Sequence, residues 1–252
     1  MQKTLDYPLE VEVNIPRVTQ FLLFAVALSA AGHIIVHLLS FLFDIKNTPF
    51  AGIYRFFNMG EEANFPTYIS TLNLLFAGVL CGIIAFCQLK LKKNTNSQWV
   101  GLSAGLVLMS MDEAAQIHES VIGAILENYI GRGTGIFYYV WYLVYIPIVV
   151  IVGFLYIPFI KRLPLRYSSR FCLAALIFLV GAIGLEMLES VLAEAEAFAY
   201  IAISILFEET FEMLSIVILI HTLLLYLTES NLTLKLDFVN QKRRQLSSAE
   251  KC

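Results

Sequence analysis

The chain has 252 residues, of which 58% are hydrophobic and only 15% are charged, and its formal net charge is −3 at pH 7. With a mean hydropathy of +0.74, it lies outside the range of soluble globular domains and inside that of polytopic membrane proteins. Nothing in this composition supports nucleic-acid binding, and the four cysteines are too scattered to suggest a disulfide framework.

Six apolar runs are long enough to cross a hydrocarbon core of about 30 Å at a rise of about 1.5 Å per residue. They cover residues 18–43, 68–89, 99–122, 136–160, 171–192 and 200–227. The sequence therefore predicts an all-α polytopic membrane protein in which residues 18–228 form a six-transmembrane-helix bundle. In this prediction residues 1–17 are a cytoplasmic N-terminal segment and residues 229–252 are a cytoplasmic basic tail.

The basic residues indicate the orientation of the bundle. All 17 Lys and Arg residues lie outside the predicted spans, and 14 of them fall in the two terminal segments and in the loops after spans two and four. Only Lys46, Arg55 and Arg132 lie on the opposite side. Because positive residues are enriched in cytoplasmic loops, we expect both termini in the cytoplasm, in a bacterial inner membrane or a plasma membrane.

Three of the predicted spans carry eight carboxylates, and no Lys or Arg accompanies them. The acids are Asp112, Glu113 and Glu119 in span three, Glu186 and Glu189 in span five, and Glu208, Glu209 and Glu212 in span six. One ionised carboxylate in hydrocarbon costs roughly 3 kcal/mol even on the gentlest insertion scale. Eight of them need metal ions or protons as partners.

In the predicted orientation the acids share the non-cytoplasmic half of the membrane. Asp112 lies roughly 20 Å from the cytoplasmic end of its span, and His33 and His37 in span one lie at a similar height. We therefore expect a polar chamber open to the non-cytoplasmic face above a sealed cytoplasmic side. If span three is a straight helix, Glu113 and His118 point more than about 90° apart. Only one of them can then contact the metal directly.

Two features near the chamber have simpler interpretations. Glu61 and Glu62, in the loop before span two, are interpreted as a solvated loop pair. An aromatic strip begins span four and is interpreted as an interfacial belt, in which rings lie at the headgroup level; its members are Tyr138, Tyr139, Trp141, Tyr142 and Tyr145.

Metal ligation needs several carboxylates or imidazoles that converge from different helices, and these spans offer them. The expected ligands are His33, His37, Asp112, His118, Glu186, Glu189, Glu208, Glu209 and Glu212. Imidazole combined with carboxylate suits Fe, Mn or Zn among divalent metals. Glu113 or Glu119 is the expected general base, acting on a metal-activated water or oxygen species.

Two other interpretations stay open. Crowded buried carboxylates hold protons and can relay them or exchange them for a cation, so an outward-facing cation or proton-coupled transporter is the main alternative. The nearly apolar cytoplasmic halves of the spans argue against a path through the membrane. A structural subunit, in which polar groups hold helices together, suits one or two acids better than eight.

Known sequence motifs lead to no family. The chain has Glu-x-x-Glu at positions 186–189 and 209–212 but lacks the Glu-x-x-His of di-iron bundles, and it contains no Walker, Rossmann or Gly-x-Ser-x-Gly element. The leading hypothesis is a metal-dependent membrane hydrolase or oxidoreductase, surrounded by membrane lipids and acting on a lipid or lipid-soluble substrate. The substrate, the metal and the oligomeric state stay open.

Overall fold

The structure is a computed structural model and describes residues 13–90 and 96–230. These residues are mostly helical and include no strand. The α-helices among them are α1 (Ile15–Phe43), α2 (Ala51–Phe57), α3 (Phe65–Lys90), α4 (Asn96–Ala115), α5 (Ala124–Ile130), α6 (Tyr142–Arg162), α7 (Leu165–Leu179), α8 (Glu186–Glu194) and α9 (Phe198–Glu229). The predicted N-terminal segment up to residue 12 and the predicted basic tail from residue 231 lie outside the described residues.

Five helical stretches are long and apolar enough to cross a membrane. They are α1, α3, α6, α9 and the stretch Leu165–Glu194 that α7 and α8 form together. Large apolar side chains cover their outer surfaces; Phe41, Phe154 and Leu176, for example, are 86%, 70% and 61% exposed. Such surfaces are stable in lipid rather than in water, so the chain is that of a helical membrane protein.

The third predicted span has a different structure from the other five. α4 has 20 residues, enough for about 30 Å, but it ends at Ala115 and is not one of the five apolar stretches. The chain then continues through Gln116 into a π-helical segment, Ile117–Gly123, and the short α5. An odd number of crossings would place the two ends of the bundle on opposite sides, so the six-helix count and the cytoplasmic location of both termini stay predictions.

The fourth span begins later than the sequence predicts. Its helix, α6, begins at Tyr142 rather than near residue 136. Gly131 and Gly135 adopt positive φ angles of 77° and 58°, a conformation that does not continue a right-handed helix, and a single 3₁₀ turn follows at Gly135–Phe137. The aromatic strip of residues 138–145 therefore begins on irregular backbone, and its members Trp141 and Tyr142 are buried.

A large part of the apolar core lies at the end of the bundle away from the acids. Trp99 at the start of α4, Phe159 near the end of α6 and Leu223 near the end of α9 are at most 1% exposed and belong to one cluster. Trp99 packs edge-on against Phe159, with ring centroids 5.1 Å apart. Asp112 lies near the opposite end of α4 and Glu208 lies in the first half of α9, so this part of the core closes the bundle on the side away from the acids.

Candidate metal centre

The break after α4 is organised by Asp112 and His118. Gln116 adopts the left-handed conformation, with φ 52° and ψ 42°, and this turns the chain out of the α4 helix. Asp112 Oδ1 accepts a hydrogen bond from the His118 backbone N–H at 2.8 Å, and Asp112 Oδ2 lies 3.1 Å from His118 Nδ1. An ionised carboxylate can only accept, so Nδ1 carries the proton and Nε2 is left for a ligand.

This arrangement is typical of metal-binding histidines, which donate their second ring N–H to a carboxylate or a carbonyl group. The hydroxyl of Tyr145 also donates toward Asp112 Oδ1, at 3.4 Å, and the Trp141 ring packs against the His118 ring, with centroids 5.0 Å apart. The imidazole of His118 is therefore held in one orientation and one tautomer.

The break also changes the direction of the site residues in this segment. On a straight helix Glu113 and His118 would face different directions, but the left-handed residue and the wide π turn alter the phase between them. In the structure the two side chains interact electrostatically, and both also interact with Asp112. The prediction that only one of them contacts the metal assumed an unbroken helix, and it stays a prediction.

A second π-helical segment, Val180–Leu185, lies between α7 and α8. It ends directly before Glu186, which is only 6% exposed. Gly181 brings this segment close to α9, because a Cβ atom there would lie 3.0 Å from the Glu208 carbonyl oxygen and 3.1 Å from Glu212 Cγ. Both π-helical segments thus adjoin the acids, and π-bulges are frequent at functional sites.

The clearest candidate for a metal site is the trio of His118, Glu119 and Glu186. Each offers one ligand atom, and the three atoms lie within 4.8 Å of one another. Ligand atoms around a tetrahedral ion at about 2.1 Å are about 3.4 Å apart, so small side-chain movements would complete such a site. Glu119 is exposed whereas Glu186 is buried, so the trio extends from the surface into the protein.

Glu186 is oriented by the aromatic strip. Trp141, itself only 6% exposed, donates its indole N–H to Glu186 Oε1 at 2.9 Å. Tyr142 is fully buried, and its hydroxyl lies 3.3 Å from Ser190 Oγ on α8. These two members of the strip pack against α8, so the interfacial-belt interpretation was wrong for them.

Glu189 and Glu208 form a close carboxyl pair between α8 and α9. Their side chains are in hydrogen-bonding contact, which requires a shared proton or an intervening cation, because two ionised carboxylates repel each other. Glu189 Oε1 and Glu208 Oε2 are buried and have no hydrogen-bond partner among the described residues. Unpartnered buried carboxylate oxygens are costly, and a bound cation would satisfy them.

The remaining acids of α9 extend the cluster toward α4 and the loop before α3. Glu209 and Glu212 both interact electrostatically with Glu113 and with Glu62. Glu62 is partly buried and accepts a hydrogen bond of 3.4 Å from Thr67 Oγ1. Burial, reinforced by the nearby Glu119 carboxylate, raises the pKa of Glu62. The interpretation of Glu62 as a solvated loop residue was therefore wrong.

His33 and His37 contact the α2–α3 loop rather than the acids. His33 Nδ1 accepts a hydrogen bond from the Met59 backbone N–H at 2.9 Å, and its Nε2 donates to the Ala202 carbonyl oxygen at 3.1 Å. His37 Nε2 lies 3.0 Å from Asn58 Oδ1. Both ring nitrogens of His33 are thus occupied by backbone groups, and a metal ion could bind there only by displacing one of them.

Long apolar helices together with a cluster of acids and one oriented histidine define a helical membrane protein with a candidate metal centre. The chain belongs to the family described as "Domain of unknown function (DUF8692)", whose model matches residues 21–227. This matched range contains every acid of the cluster. No curated protein and no solved structure matches the chain.

Proposed function

We propose that this protein binds a divalent metal ion within the membrane and uses it as an enzyme on a lipid or lipid-soluble substrate. The observation that carries the proposal is the orientation of His118, whose Nδ1 faces Asp112. The ligand atoms of His118, Glu119 and Glu186 lie within 4.8 Å of one another. One imidazole with several carboxylates suits Fe, Mn or Zn.

The surroundings of the trio support access from the membrane. Met111 and Leu188 are apolar, 55% and 47% exposed, and directly adjoin Asp112 and Glu189 in the sequence. An apolar substrate could approach across this surface and reach the exposed Glu119. The distribution of basic residues favours a site on the non-cytoplasmic side, in a bacterial inner membrane or a plasma membrane.

A metal bound by the trio supplies Lewis acidity and lowers the pKa of bound water to about 7. Glu113 is the candidate general base, because its side chain is hydrogen-bonded to Ser70 and interacts with both His118 and Asp112. Glu119 belongs to the trio, so we assign it as a ligand in preference to a base. Hydrolysis and oxidation are both compatible with this arrangement.

The transport alternative has less support. The end of the bundle away from the acids is closed by the apolar core, in which Trp99, Ile220 and Leu223 are fully buried. Ions crossing the membrane would need polar steps in this region. A structural role, in which polar groups hold helices together, accounts for one or two acids better than for the eight in these helices.

The test is the metal content of detergent-purified protein, measured by plasma mass spectrometry. We expect Fe, Mn or Zn in the wild type and its loss from the variants His118→Gln, Glu119→Gln and Glu186→Gln. Glu196→Gln is the matched control, because Glu196 is exposed. Wild-type metal content in all three variants would overturn the assignment. The transporter would be favoured if the wild type holds no metal, conducts ions in proteoliposomes, and loses this ion flux in the same variants.

A further inference from the structure

The middle of α6 is not packed against the rest of the described bundle. Residues 150–155 are all exposed, so no face of the helix is covered along this stretch. A helix that packs lengthwise against a bundle buries at least one stripe of side chains. Near the two ends of α6, by contrast, Tyr142 is fully buried and Phe159 is 1% exposed. The helix is therefore held near its ends and leaves a space beside its middle.

Two tyrosines set the distance between α6 and α4. The Tyr145 hydroxyl donates toward Asp112 Oδ1 at 3.4 Å. About three turns further along α6, the Tyr156 hydroxyl donates to the Gln98 carbonyl oxygen at 2.9 Å. It also lies directly over Gly101, where it leaves no room for a Cβ atom. The two helices thus run antiparallel, and their two tyrosine contacts are roughly 16 Å apart along the helix axis.

Small side chains line the opening between these two contacts. Gly105 lies on the same face of α4 as Gly101 and Asp112, since residues at this spacing fall within about 60° of one another on a helix. By the same spacing, Val149 and Val152 share the face of α6 that carries the two tyrosines. A Cβ atom at Gly105 would have no atom of another described segment within 4 Å, and Val152 is 45% exposed. The tyrosines hold the helices apart, and the described residues leave the space between them unfilled.

The occupant that fits this opening is a linear hydrocarbon chain. The walls are apolar, and α6 is one of the stretches apolar enough to lie in the hydrocarbon of the membrane, so lipid borders the opening. A helix with its side chains is about 10–12 Å wide and cannot enter between two helices that touch at both ends of the opening. The opening ends at Asp112, whose Oδ2 faces His118 Nδ1. The polar end of a lipid in the opening would therefore lie beside the trio.

We infer that the substrate enters from the bilayer between α4 and α6, and that it is a lipid whose hydrocarbon chain lies in this opening with its polar end toward the trio. This inference rests on the proposed function and adds to it the route of entry and the class of substrate. Pro147 and Pro158 flank the unpacked part of α6. Each removes one helical hydrogen bond, so this part of the helix can bend outward as the chain enters.

The test uses hexadecanol that carries a diazirine in its chain, added to the full-length protein in phosphatidylcholine vesicles. The neutral hydroxyl group of this probe is not repelled by the acids. After illumination, mass spectrometry should find the probe on residues 101–108 and 149–152, and excess hexadecanol should displace it. Gly105→Phe and Val152→Trp fill the opening and should lose this labelling. Val150→Trp is the matched control, because Val150 is 49% exposed and points about 160° away from Val152 on the same helix.

The labelling and the metal content of the same preparations separate this inference from the proposed function. Labelling that excess hexadecanol does not displace, or that is equal in the wild type and all variants, is that of lipid around any membrane helix and overturns the inference. Bound metal without displaceable labelling leaves the proposed function intact. Displaceable labelling of a wild type that holds no metal overturns the proposed function, and with it the role of this lipid as a substrate. Displacement in the wild type decides whether the opening holds a chain even if Gly105→Phe and Val152→Trp do not fold.

Discussion

Asp112 and His118 are joined by two hydrogen bonds across a break in the helix, one to the backbone N–H at 2.8 Å and one to Nδ1 at 3.1 Å. The carboxylate thereby stabilises the turn and selects the tautomer of the imidazole. This relationship links local backbone structure to the proposed metal binding, because one oxygen of the same carboxylate accepts from the backbone and the other from the imidazole.

The variant Asp112→Asn should lower metal affinity by about 10–100-fold. If the amide oxygen keeps the backbone hydrogen bond, the amide nitrogen faces His118 Nδ1, which must then accept, so that the proton moves to Nε2 and blocks the ligand position. Titration of the metal-free protein with Mn²⁺ measures the effect. Glu127→Gln, at an exposed ion pair with Arg132, is the control. Unchanged affinity in Asp112→Asn would refute this role.

Trp141 should report metal binding by its fluorescence. The chain contains two tryptophans, so Trp99→Phe leaves Trp141 and Trp141→Phe leaves Trp99. Trp141 donates to Glu186 and packs against His118, whereas Trp99 lies in the apolar core. Mn²⁺ should therefore quench the emission of the Trp99→Phe protein and leave that of Trp141→Phe nearly unchanged. Equal quenching in both would place the metal elsewhere.

Gly181→Ala should weaken both stability and metal binding. Its Cβ would lie 3.0 Å from the Glu208 carbonyl oxygen, so the π segment must move away from α9 at a cost of about 1–3 kcal/mol. Gly184→Ala in the same segment is the control, since its nearest neighbour is 3.9 Å away. Thermal unfolding and Mn²⁺ titration of both variants measure the effects. Equal unfolding temperatures and equal Mn²⁺ affinities in the two variants would show that the close approach of Gly181 to α9 is unimportant.

His33→Ala should destabilise the protein without removing metal. The change leaves the Met59 N–H without its acceptor and removes the side-chain hydrogen bond to the Ala202 carbonyl oxygen, and an unsatisfied buried N–H costs about 1–3 kcal/mol. A lower unfolding temperature with unchanged metal content is the expected result. Lost metal with an unchanged unfolding temperature would instead support His33 as a ligand, as the sequence pattern alone suggests.

Much of the fold follows from the apolar runs. A run of more than 20 apolar residues has few alternatives to a membrane helix, and five of the six predicted spans correspond to such helices. The break within the third run could not be predicted, because nothing in its apolar pattern marks Gln116 as a left-handed residue. That conformation depends on the Asp112 hydrogen bond to His118, an interaction between residues that a straight helix keeps apart.

The sequence indicates which helices carry the acids, because charged residues are rare in membrane spans and easily seen there. It gives no such signal for Glu62, since acids in loops are usually solvated. The anchoring of that loop arises from long-range contacts of Met59 with His33 and of Gly60 with Ile205. Trp141 was missed for the same reason, because aromatic residues near a span end are common at membrane interfaces.

The most direct test of the central claim is pulsed electron paramagnetic resonance of the Mn²⁺-loaded protein, which detects nitrogen bound directly to the metal. We predict the nitrogen modulation of one imidazole in the wild type, and its loss in His118→Gln. The same modulation should persist in His33→Ala. A wild-type protein that binds Mn²⁺ without imidazole nitrogen, or that keeps the nitrogen signal in His118→Gln, would contradict the assignment of His118 as a metal ligand.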